Sequence, residues 1–253
     1  MTSATTPASI TREQQLRGQT VVLIGGSAGI GLETARLARQ EGAIVILAAR
    51  NPEHLKAAAA DVDAQSTAAF DATDSAALKQ FFDGLATPID HVLVTGGGPS
   101  YKRMLEMDAD EVREAVADHI VLGLDVARNM IGKTRPGGTL LLMGGTGGRK
   151  ISRELGLASA ATAALPPFAA TLALGLAPIR VNLIAAGFVD TPLSASILGS
   201  GLDARREQLR DTLPIGRVVG PEDVASLAVH LMVNTALTGA TYDIDGGQQF
   251  VNA

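Results

Sequence analysis

Apolar and polar positions along this chain follow two alternating patterns. Short continuous apolar runs, such as AIVILA at 43–48 and TLLLM at 139–143, are typical of strands buried on both faces. Between them, segments such as 74–85 repeat their apolar residues at helical spacing. This alternation, without internal repeats or low-complexity linkers, predicts an α/β fold: a doubly wound parallel sheet with helices on both faces and right-handed crossovers.

The same pattern gives the expected bounds of the elements. The predicted strands are 20–24, 43–48, 66–70, 90–94, 139–143, 179–185 and 240–244. The predicted helices are 33–40, 52–60, 74–85, 110–133 and 221–233. We expect a flexible N-terminal tail at 1–17 and a single domain at 18–253. Within that domain, the long, polar and helix-prone stretch at about 190–213 is expected to form a lid over the substrate.

A glycine-rich turn joins the first predicted strand to the helix that follows it. The segment reads TVVLIGGSAGIGL at 20–32 and places Gly25, Gly29 and Gly31 directly after the apolar run. Glycine adopts backbone angles that side chains disfavour, and it lets main-chain N–H groups approach a phosphate closely. The start of a helix adds unpaired donors and a positive dipole end. A turn of this kind between a buried strand and an amphipathic helix predicts a dinucleotide site.

Composition and charge narrow the classes of partner. The 253 residues are 46% hydrophobic, which is enough for one large core. A net charge of −5 and scattered basic residues argue against nucleic acid and against an anionic membrane as partners, and they leave a small-molecule substrate. Cysteine is absent, so we predict no disulfide, no cysteine nucleophile and no metal site. A reducing, cytoplasmic location fits that composition.

One uncharged segment, 155–179, is long enough to span a bilayer. Pro166, Pro167 and Pro178 interrupt it, and it is rich in small residues, so we expect a helix buried inside an oligomer rather than a membrane span. Proline lacks a backbone donor and clashes with the preceding turn, which predicts that the helix restarts at Pro166. The remainder, Phe168–Ala177, has too few polar residues for a solvent face. It predicts a homo-oligomer, a dimer or a tetramer, formed through this helix.

Several separated motifs between about Gly18 and Gly247 carry a resemblance to a known family. They resemble the T-G-x-x-x-G-I-G, N-N-A-G, I-R-V-N, P-G-x-x-x-T and V-D-G-G motifs of the short-chain dehydrogenase/reductase family. In this chain they read GGSAGIG at 25–31, TGGG at 95–98, IRVN at 179–182, AGFVDTP at 186–192 and DIDGG at 243–247. The resemblance implies a Rossmann-like fold, a nicotinamide cofactor and an oxidoreductase that acts on a small carbonyl or alcohol.

The resemblance carries cofactor-binding roles onto the matched positions, and charge indicates which cofactor is preferred. Sites for NAD place an acid after the second strand, whereas sites for NADP place an arginine near the 2′-phosphate. Here Arg50 follows that strand and Ser27 can add a donor, so we predict NADP(H) in preference to NAD(H). Arg50 can instead be an exposed loop residue, and Asp71, which resembles the adenine-binding acid, can instead cap a turn. The predicted cofactor-binding residues are Gly25, Ser27, Gly29, Ile30, Gly31, Arg50, Asp71, Ala72, Gly96, Gly97, Gly187, Val189 and Thr191.

The resemblance fails at the catalytic residues. Family members protonate the alkoxide with a tyrosine whose pKa is lowered by a lysine four residues later, helped by a serine and an asparagine. The aligned positions of tyrosine, lysine, serine and asparagine hold Ala158, Thr162, Gly145 and His119. All four catalytic members are therefore replaced, and the active site is predicted to be non-classical.

Two residues are candidates for the missing proton donor. His119 occupies a matched position and an imidazole exchanges protons near neutral pH, although an inward-facing helix histidine is often only a hydrogen-bonded core residue. Tyr101 follows the glycine loop of the fourth strand, where it can reach the mouth of the site or serve as a packing lid. Hydroxyls without a base and solvated charges are weaker candidates, namely Thr146, Ser159, Arg149 and Lys150.

The sequence leaves two functions open. The first is an NADP-dependent oxidoreductase that reduces a small carbonyl, or oxidises the alcohol, with a rearranged acid. The alternative is a catalytically silent NADP(H)-binding protein that acts as a sensor or partner subunit. The cofactor motifs support both functions. The lost tetrad favours the second on mechanism, whereas the family resemblance and the lid segment favour the first.

Overall fold

The computed structural model of the chain describes residues 13–86, 88–96, 102–149 and 156–251. A seven-stranded sheet lies at its centre, all neighbouring strands are parallel, and their order is β3-β2-β1-β4-β5-β6-β7. The predicted doubly wound sheet is confirmed. The strands are β1 Thr20–Ile24, β2 Ile44–Ala49, β3 Ser66–Ala69, β4 Ile89–Val94, β5 Thr134–Gly145, β6 Arg180–Ala186 and β7 Thr241–Ile244.

Helices cover both faces of this sheet. They are α1 Gly29–Gln40, α2 Pro52–Val62, α3 Ser75–Gly84, α4 Ala109–Val116, α5 Leu122–Met130, α6 Gly156–Gly175, α7 Pro192–Leu198, α8 Leu202–Thr212 and α9 Pro221–Val233. Alternate residues of β1 point to opposite faces: Val21 and Leu23 pack with α1, α2 and α9, whereas Val22 and Ile24 pack with α3, α5 and α6. Two apolar layers therefore hold the sheet between them.

Local signals start α2 where the sequence predicts, whereas α1 begins at Gly29, before the predicted start at 33. The Asn51 side chain accepts hydrogen bonds from the N–H groups of Glu53 and His54, both at 3.0 Å, with Pro52 at the first helical position. The predicted bounds of α9 are confirmed, and its first turn carries Glu222 and Asp223. At the N-terminus, however, Leu16 is fully buried in the core and its N–H donates to the Glu41 carbonyl at 2.9 Å. The predicted boundary of the flexible tail at residue 17 is therefore too late, because Leu16 already belongs to the folded domain.

The helix predicted at 110–133 is wrong in one respect, because it is interrupted. A π-turn at Ala117–Val121 separates α4 from α5, and the Leu122 N–H donates to the Ala117 carbonyl five residues earlier. A π-turn adds one residue to the spiral while keeping helical dihedrals, so the apolar spacing along the sequence gives no warning of it. Such turns are frequent at functional sites, and this one contains His119.

The helix predicted to restart at Pro166 is also wrong. Helix α6 runs continuously from Gly156 to Gly175 with Pro166 and Pro167 inside it. Leu165 and Ala169, which flank the two prolines, are both buried in the layer between helix and sheet. This apolar contact holds the helix in place despite the lost backbone hydrogen bonds. By length and composition α6 could also cross a membrane, but core helices of soluble proteins pass the same test.

Strand β5 begins earlier than predicted and passes through a Pro-Gly-Gly sequence. Ile89 pairs with Thr134 and His91 pairs with Thr139, so a bulge between these pairs absorbs the extra residues. Proline lacks the N–H that a regular ladder needs, and the bulge removes that need. The sequence prediction of 139–143 therefore covers only the regular part of this strand.

A buried arginine ties the sheet to the end of α9. The Arg180 guanidinium donates from Nη1 to the Leu231 carbonyl at 2.7 Å and from Nη2 to the Met232 carbonyl at 2.6 Å. These are carbonyls of the last helical turn, which lack partners inside the helix. Burial lowers the pKa of Arg180 from its ordinary value. The I-R-V-N motif thus has a structural role in this chain.

Acidification should destabilise the fold through His91, which is 3% exposed. Burial is the main reason that its pKa is lowered from 6.5 to about 4. The unfolded chain therefore takes up a proton at higher pH than the folded chain does, and stability is lost as the pH falls from 6.5 to 4. We expect a loss of about 3 kcal/mol over this window. Urea unfolding of the parent and of His91→Gln at a series of pH values measures it. An equally steep loss in the variant would contradict the assignment.

Candidate cofactor and active site

A crevice opens at the carboxyl ends of β1 and β4, where the strand order reverses. From this point the chain builds β2 and β3 on one side and β4 to β7 on the other. Ligands of open parallel sheets bind at such a switch point. The Thr95 N–H donates to the Ile24 carbonyl at 2.8 Å, and Thr95 Oγ1 donates to the Gly25 carbonyl at 3.1 Å. These bonds hold the two strand-end loops together.

The glycine turn leaves no room for side chains. Gly25 has φ +93° and Gly29 has φ +51°, angles that favour glycine. A Cβ atom at Gly31 would lie 2.3 Å from the Gly25 carbonyl oxygen, and one at Gly25 would lie 2.4 Å from Thr95 Oγ1. The turn therefore keeps its backbone bare at the start of α1. The residue before α1 is Ala28, whose side chain cannot satisfy the first N–H groups of the helix.

This geometry fits the pyrophosphate of a dinucleotide. Unsatisfied N–H groups at a helix start, together with the helix dipole, attract an anion. Ser27 and Ile30 are half-buried on either side of Gly29, so their backbone lies at the edge of the crevice. Gly96 continues the opposite wall, and its N–H donates to the Ile24 carbonyl at 3.2 Å. Gly97, which was predicted to bind the cofactor, lies outside the described residues.

The predicted adenosine end combines Arg50, Asp71 and Ala72. Arg50 is exposed directly after β2, and its positive charge is one of the influences that lower the pKa of Asp71. The larger influence is a pair of hydrogen bonds from Thr73, one from its N–H at 3.0 Å and one from its hydroxyl at 2.8 Å. Asp71 therefore caps the turn after β3 while lying within the electrostatic reach of Arg50. The two roles considered for this residue are compatible.

Sequence reasoning missed Asp118. Burial raises the pKa of this carboxyl group, and His119, Glu114, Arg50 and Asp71 are the charges that act on it. Asp118 thus lies within the electrostatic reach of Arg50 and Asp71 as well as of its neighbour His119. Its only signal in the sequence is its place beside the histidine, since a helix acid is normally read as a solvated charge.

The loop after β6 closes the crevice from the other side. A Cβ atom at Gly187 would lie 2.6 Å from Cβ of Asp245, and the Phe188 N–H donates to Gln248 Oε1 at 2.8 Å. Thr191 caps α7, and its Cβ lies 3.4 Å from the position that a Cβ atom at Gly29 would take. The glycine turn and this loop therefore touch.

The predicted lid region contains two short helices fastened to the same loop. Helices α7 and α8 lie within 190–213. The Arg206 guanidinium binds both carboxylate oxygens of Asp190 at 2.8 Å, and the Arg205 guanidinium lies 5.9 Å from the centre of the Phe188 ring. Val189, which is buried, accepts a hydrogen bond from the Ser194 hydroxyl at 2.7 Å. These contacts order the lid helices against the loop of Val189 and Thr191.

The positions that align with the family's serine and lysine, Gly145 and Thr162, lie near each other at the carboxyl end of β5. A Cβ atom at Gly145 would lie 3.4 Å from Thr162 Cγ2, so the aligned serine and lysine positions adjoin. The Thr162 hydroxyl is already engaged, since it donates to the Ala158 carbonyl at 2.8 Å. Neither Ala158 nor Thr162 offers an acidic proton to a substrate. Tyr101 and Lys150 lie outside the described residues.

His119 is half-buried in the π-turn, which packs against α6. Its Nδ1 lies 2.9 Å from the Ala115 carbonyl oxygen. A carbonyl oxygen only accepts, so Nδ1 carries the hydrogen of this bond. The second nitrogen, Nε2, is therefore the atom at which His119 can exchange a proton.

Comparison with known proteins places the chain in a family. A family model described as enoyl-(acyl carrier protein) reductase matches residues 25–249. The fold, the crevice at the strand ends and this match agree with one another. The chain belongs to the short-chain dehydrogenase/reductase family of oxidoreductases. Members of this family bind a nicotinamide cofactor.

Relatives and solved structures agree over nearly the full length. An uncharacterized oxidoreductase of Mycobacterium tuberculosis is 30% identical over 251 residues, which cover 94% of this chain and 95% of the relative. The reductase/Diels-Alderase MalC from Malbranchea aurantiaca has a TM-score of 0.87 at 24% identity, and the match covers 94% of this chain and 99% of MalC. The protein BdcA, solved in complex with NADPH, has a TM-score of 0.82 at 25% identity, and the match covers 92% of this chain and 95% of BdcA.

Proposed function

We propose that this protein is an NADP(H)-dependent oxidoreductase that interconverts a small carbonyl compound and its alcohol, with His119 in place of the family's tyrosine acid. The observation that carries the proposal is the bare glycine cradle at the switch point, in a chain that belongs to a family of oxidoreductases. The NADPH complex of a protein 25% identical to this one supports the choice of cofactor.

Different residues of the crevice bind different parts of the cofactor. The backbone of Gly25 to Gly31 and the start of α1 receive the pyrophosphate, and Arg50 meets the 2′-phosphate. The loop of Gly187, Val189 and Thr191 lies against Gly29 and would hold the nicotinamide end. When bound, NADPH supplies a hydride.

His119 provides the proton that the reduction needs. Hydride addition leaves an alkoxide oxygen on the substrate, and the imidazolium of His119 gives its Nε2 proton to that oxygen. The Ala115 carbonyl holds Nδ1 and thereby orients the ring. Neutral His119 has no hydrogen on Nε2 in this arrangement, so only the protonated form acts as the acid. Alcohol oxidation reverses the step, with neutral His119 as the base.

One assay distinguishes the oxidoreductase from the alternative, a catalytically silent NADP(H)-binding subunit. NADPH oxidation is followed with a panel of small ketones and aldehydes while NADPH binding is titrated in parallel. Binding with turnover supports the oxidoreductase. Binding without turnover of any compound, in either direction, would reject it in favour of the sensor.

Arg50→Ala should weaken the preference for NADPH over NADH by roughly 10- to 100-fold, because one charge-assisted phosphate contact contributes about 1.5 to 3 kcal/mol. The ratio of the two dissociation constants, measured by fluorescence titration, checks this. Lys56→Ala, an exposed change on α2, is the matched control and should leave the ratio alone. An unchanged ratio in Arg50→Ala would show that the arginine does not read the 2′-phosphate.

We further propose a homo-oligomer formed through the uncharged outer side of α6. Exposed positions recur there at helical spacing over its whole length: Ala160, Ala164, Pro167, Thr171 and Leu174. Leu174 is 84% exposed, and none of the five carries a charge. Phe168 instead packs inward, since a Cβ atom at Gly123 would lie 3.1 Å from its ring. The proposed contact thus begins earlier than 168.

Leu174→Glu should convert the oligomer to a monomer at micromolar concentration, because it places a charge within an apolar contact. Light scattering measures the mass of the parent and of the variant. Ala57→Glu, on the exposed side of α2, serves as control and should keep the parent's mass. A monomeric parent would reject the proposal.

A further inference from the structure

A small cavity adjoins the vacated catalytic positions. It has a volume of about 240 Å³ and lies between the end of β5, helix α6 and strand β6. Gly145 and Thr162, which stand where the family has its serine and lysine, form one wall. Pro166, Leu183 and Ala185 form an apolar floor. Both of these residues line the cavity, so the cavity adjoins the positions that align with the family's serine and lysine.

The cavity also has one cationic wall residue, Arg149. It follows β5 in the 3₁₀ turn Thr146–Arg149, and its side chain is 38% exposed. Gly148 lets this turn approach α6, since a Cβ atom there would lie 2.7 Å from the Ala163 nitrogen. The close approach brings the guanidinium to the space that the missing lysine leaves.

The C-terminal strand holds Arg149 in place. Its Nη1 donates to Asp243 Oδ2 and, at 3.1 Å, to Gln249 Oε1. Gln249 Nε2 donates in turn to Asp243 Oδ2 at 3.0 Å, and the Gln249 N–H donates to Asp245 Oδ2 at 3.0 Å. A guanidinium presents five donors in a planar fork, so bonds from Nη1 orient the fork while its other edges can meet a second acceptor.

We propose that Arg149 is a substrate-binding residue and that the substrate is a small carbonyl compound with a carboxylate group. The volume of about 240 Å³ accommodates about eight non-hydrogen atoms, because a liquid water molecule occupies about 30 Å³. A planar fork binds a carboxylate through two parallel hydrogen bonds, and the apolar floor excludes water around the short carbon chain. The identity of the reacting substrate rests on the proposed function, whereas the carboxylate site itself does not.

Binding of oxamate and of oxamide tests this site without any turnover. The two compounds are similar in size, but only oxamate carries a carboxylate. Calorimetric titration of the parent, with and without NADP⁺, should show oxamate binding at least 10-fold more tightly than oxamide. Arg149→Gln should remove that preference, and Arg149→Lys should keep part of it, because lysine retains the charge but not the fork. Arg113→Gln, on the exposed side of α4, is the control and should behave as the parent.

The outcomes separate this proposal from the proposed function. Equal binding of the two compounds, binding of neither, or a preference that survives in Arg149→Gln would overturn the carboxylate site. If oxamate binds through Arg149 but no carbonyl compound is reduced, the carboxylate site is supported and the oxidoreductase function is rejected. If neutral ketones are reduced and the protein does not prefer oxamate over oxamide, the oxidoreductase function is supported and the carboxylate site is rejected.

Discussion

Gly31→Ala should raise the dissociation constant for NADPH by roughly 5- to 150-fold, since overpacking costs about 1 to 3 kcal/mol. The new methyl group would lie 2.3 Å from the Gly25 carbonyl oxygen, which is backbone and cannot turn away as a side chain can. To relieve this contact, the turn must move away from the start of α1. The N–H groups that receive the pyrophosphate would then lose their common geometry.

Gly84→Ala is the matched control for this change. Gly84 ends helix α3, and a Cβ atom there would meet nothing within 4 Å. Fluorescence titration of both variants with NADPH, beside thermal unfolding to confirm that each is folded, gives the comparison. A folded Gly31→Ala variant with the parent's affinity would show that the glycine turn does not hold the cofactor.

The parent protein should reduce ketones and aldehydes slowly, up to about 10²- to 10⁴-fold below ordinary enzyme rates of about 1 to 10³ per second, because His119 replaces the tyrosine acid without the lysine that assists it in the family. Binding still supplies proximity, but the tyrosine and lysine positions hold Ala158 and Thr162, and the Thr162 hydroxyl already donates to a backbone carbonyl. The rate should fall as pH rises, because neutral His119 carries its hydrogen on Nδ1. Steady-state NADPH oxidation across a pH series measures both effects. Turnover of common ketones at ordinary rates would contradict the loss of the acid.

Much of the fold could be predicted from the sequence, because its strands are buried on both faces and read as unbroken apolar runs. The order of strands and helices follows from that alternation, and the bounds of α9 follow from Pro221 and the acids behind it. The two failed helix predictions have separate physical causes. The π-turn at Ala117–Val121 leaves no mark in apolar spacing, and packing of Leu165 and Ala169 on the sheet outweighs the two prolines between them.

The glycine turn of the candidate site could be predicted from the sequence, because its backbone geometry requires glycine. Side chains that are distant in sequence and meet only in the folded chain were harder to predict. Gly25 and Gly31 could be found in the sequence because a Cβ atom at either would clash, and Gly29 because its positive φ favours glycine. Asp118 could not, since a helix acid resembles any solvated charge, and Arg149 was only a weaker candidate for the same reason. Only the fold shows that Asp118 is near Arg50 and that Arg149 borders the vacated lysine position.

The most direct test of the account compares His119→Gln with His54→Gln. His54 is exposed on α2, so its replacement controls for the loss of a histidine elsewhere. With NADPH and the best carbonyl compound of the panel, we expect His119→Gln to lose most of the parent's rate and its dependence on pH while binding NADPH as tightly as the parent. His54→Gln should retain rate, pH profile and affinity. If His119→Gln retains the parent's rate and pH profile, His119 is not the proton donor and the proposed mechanism is wrong.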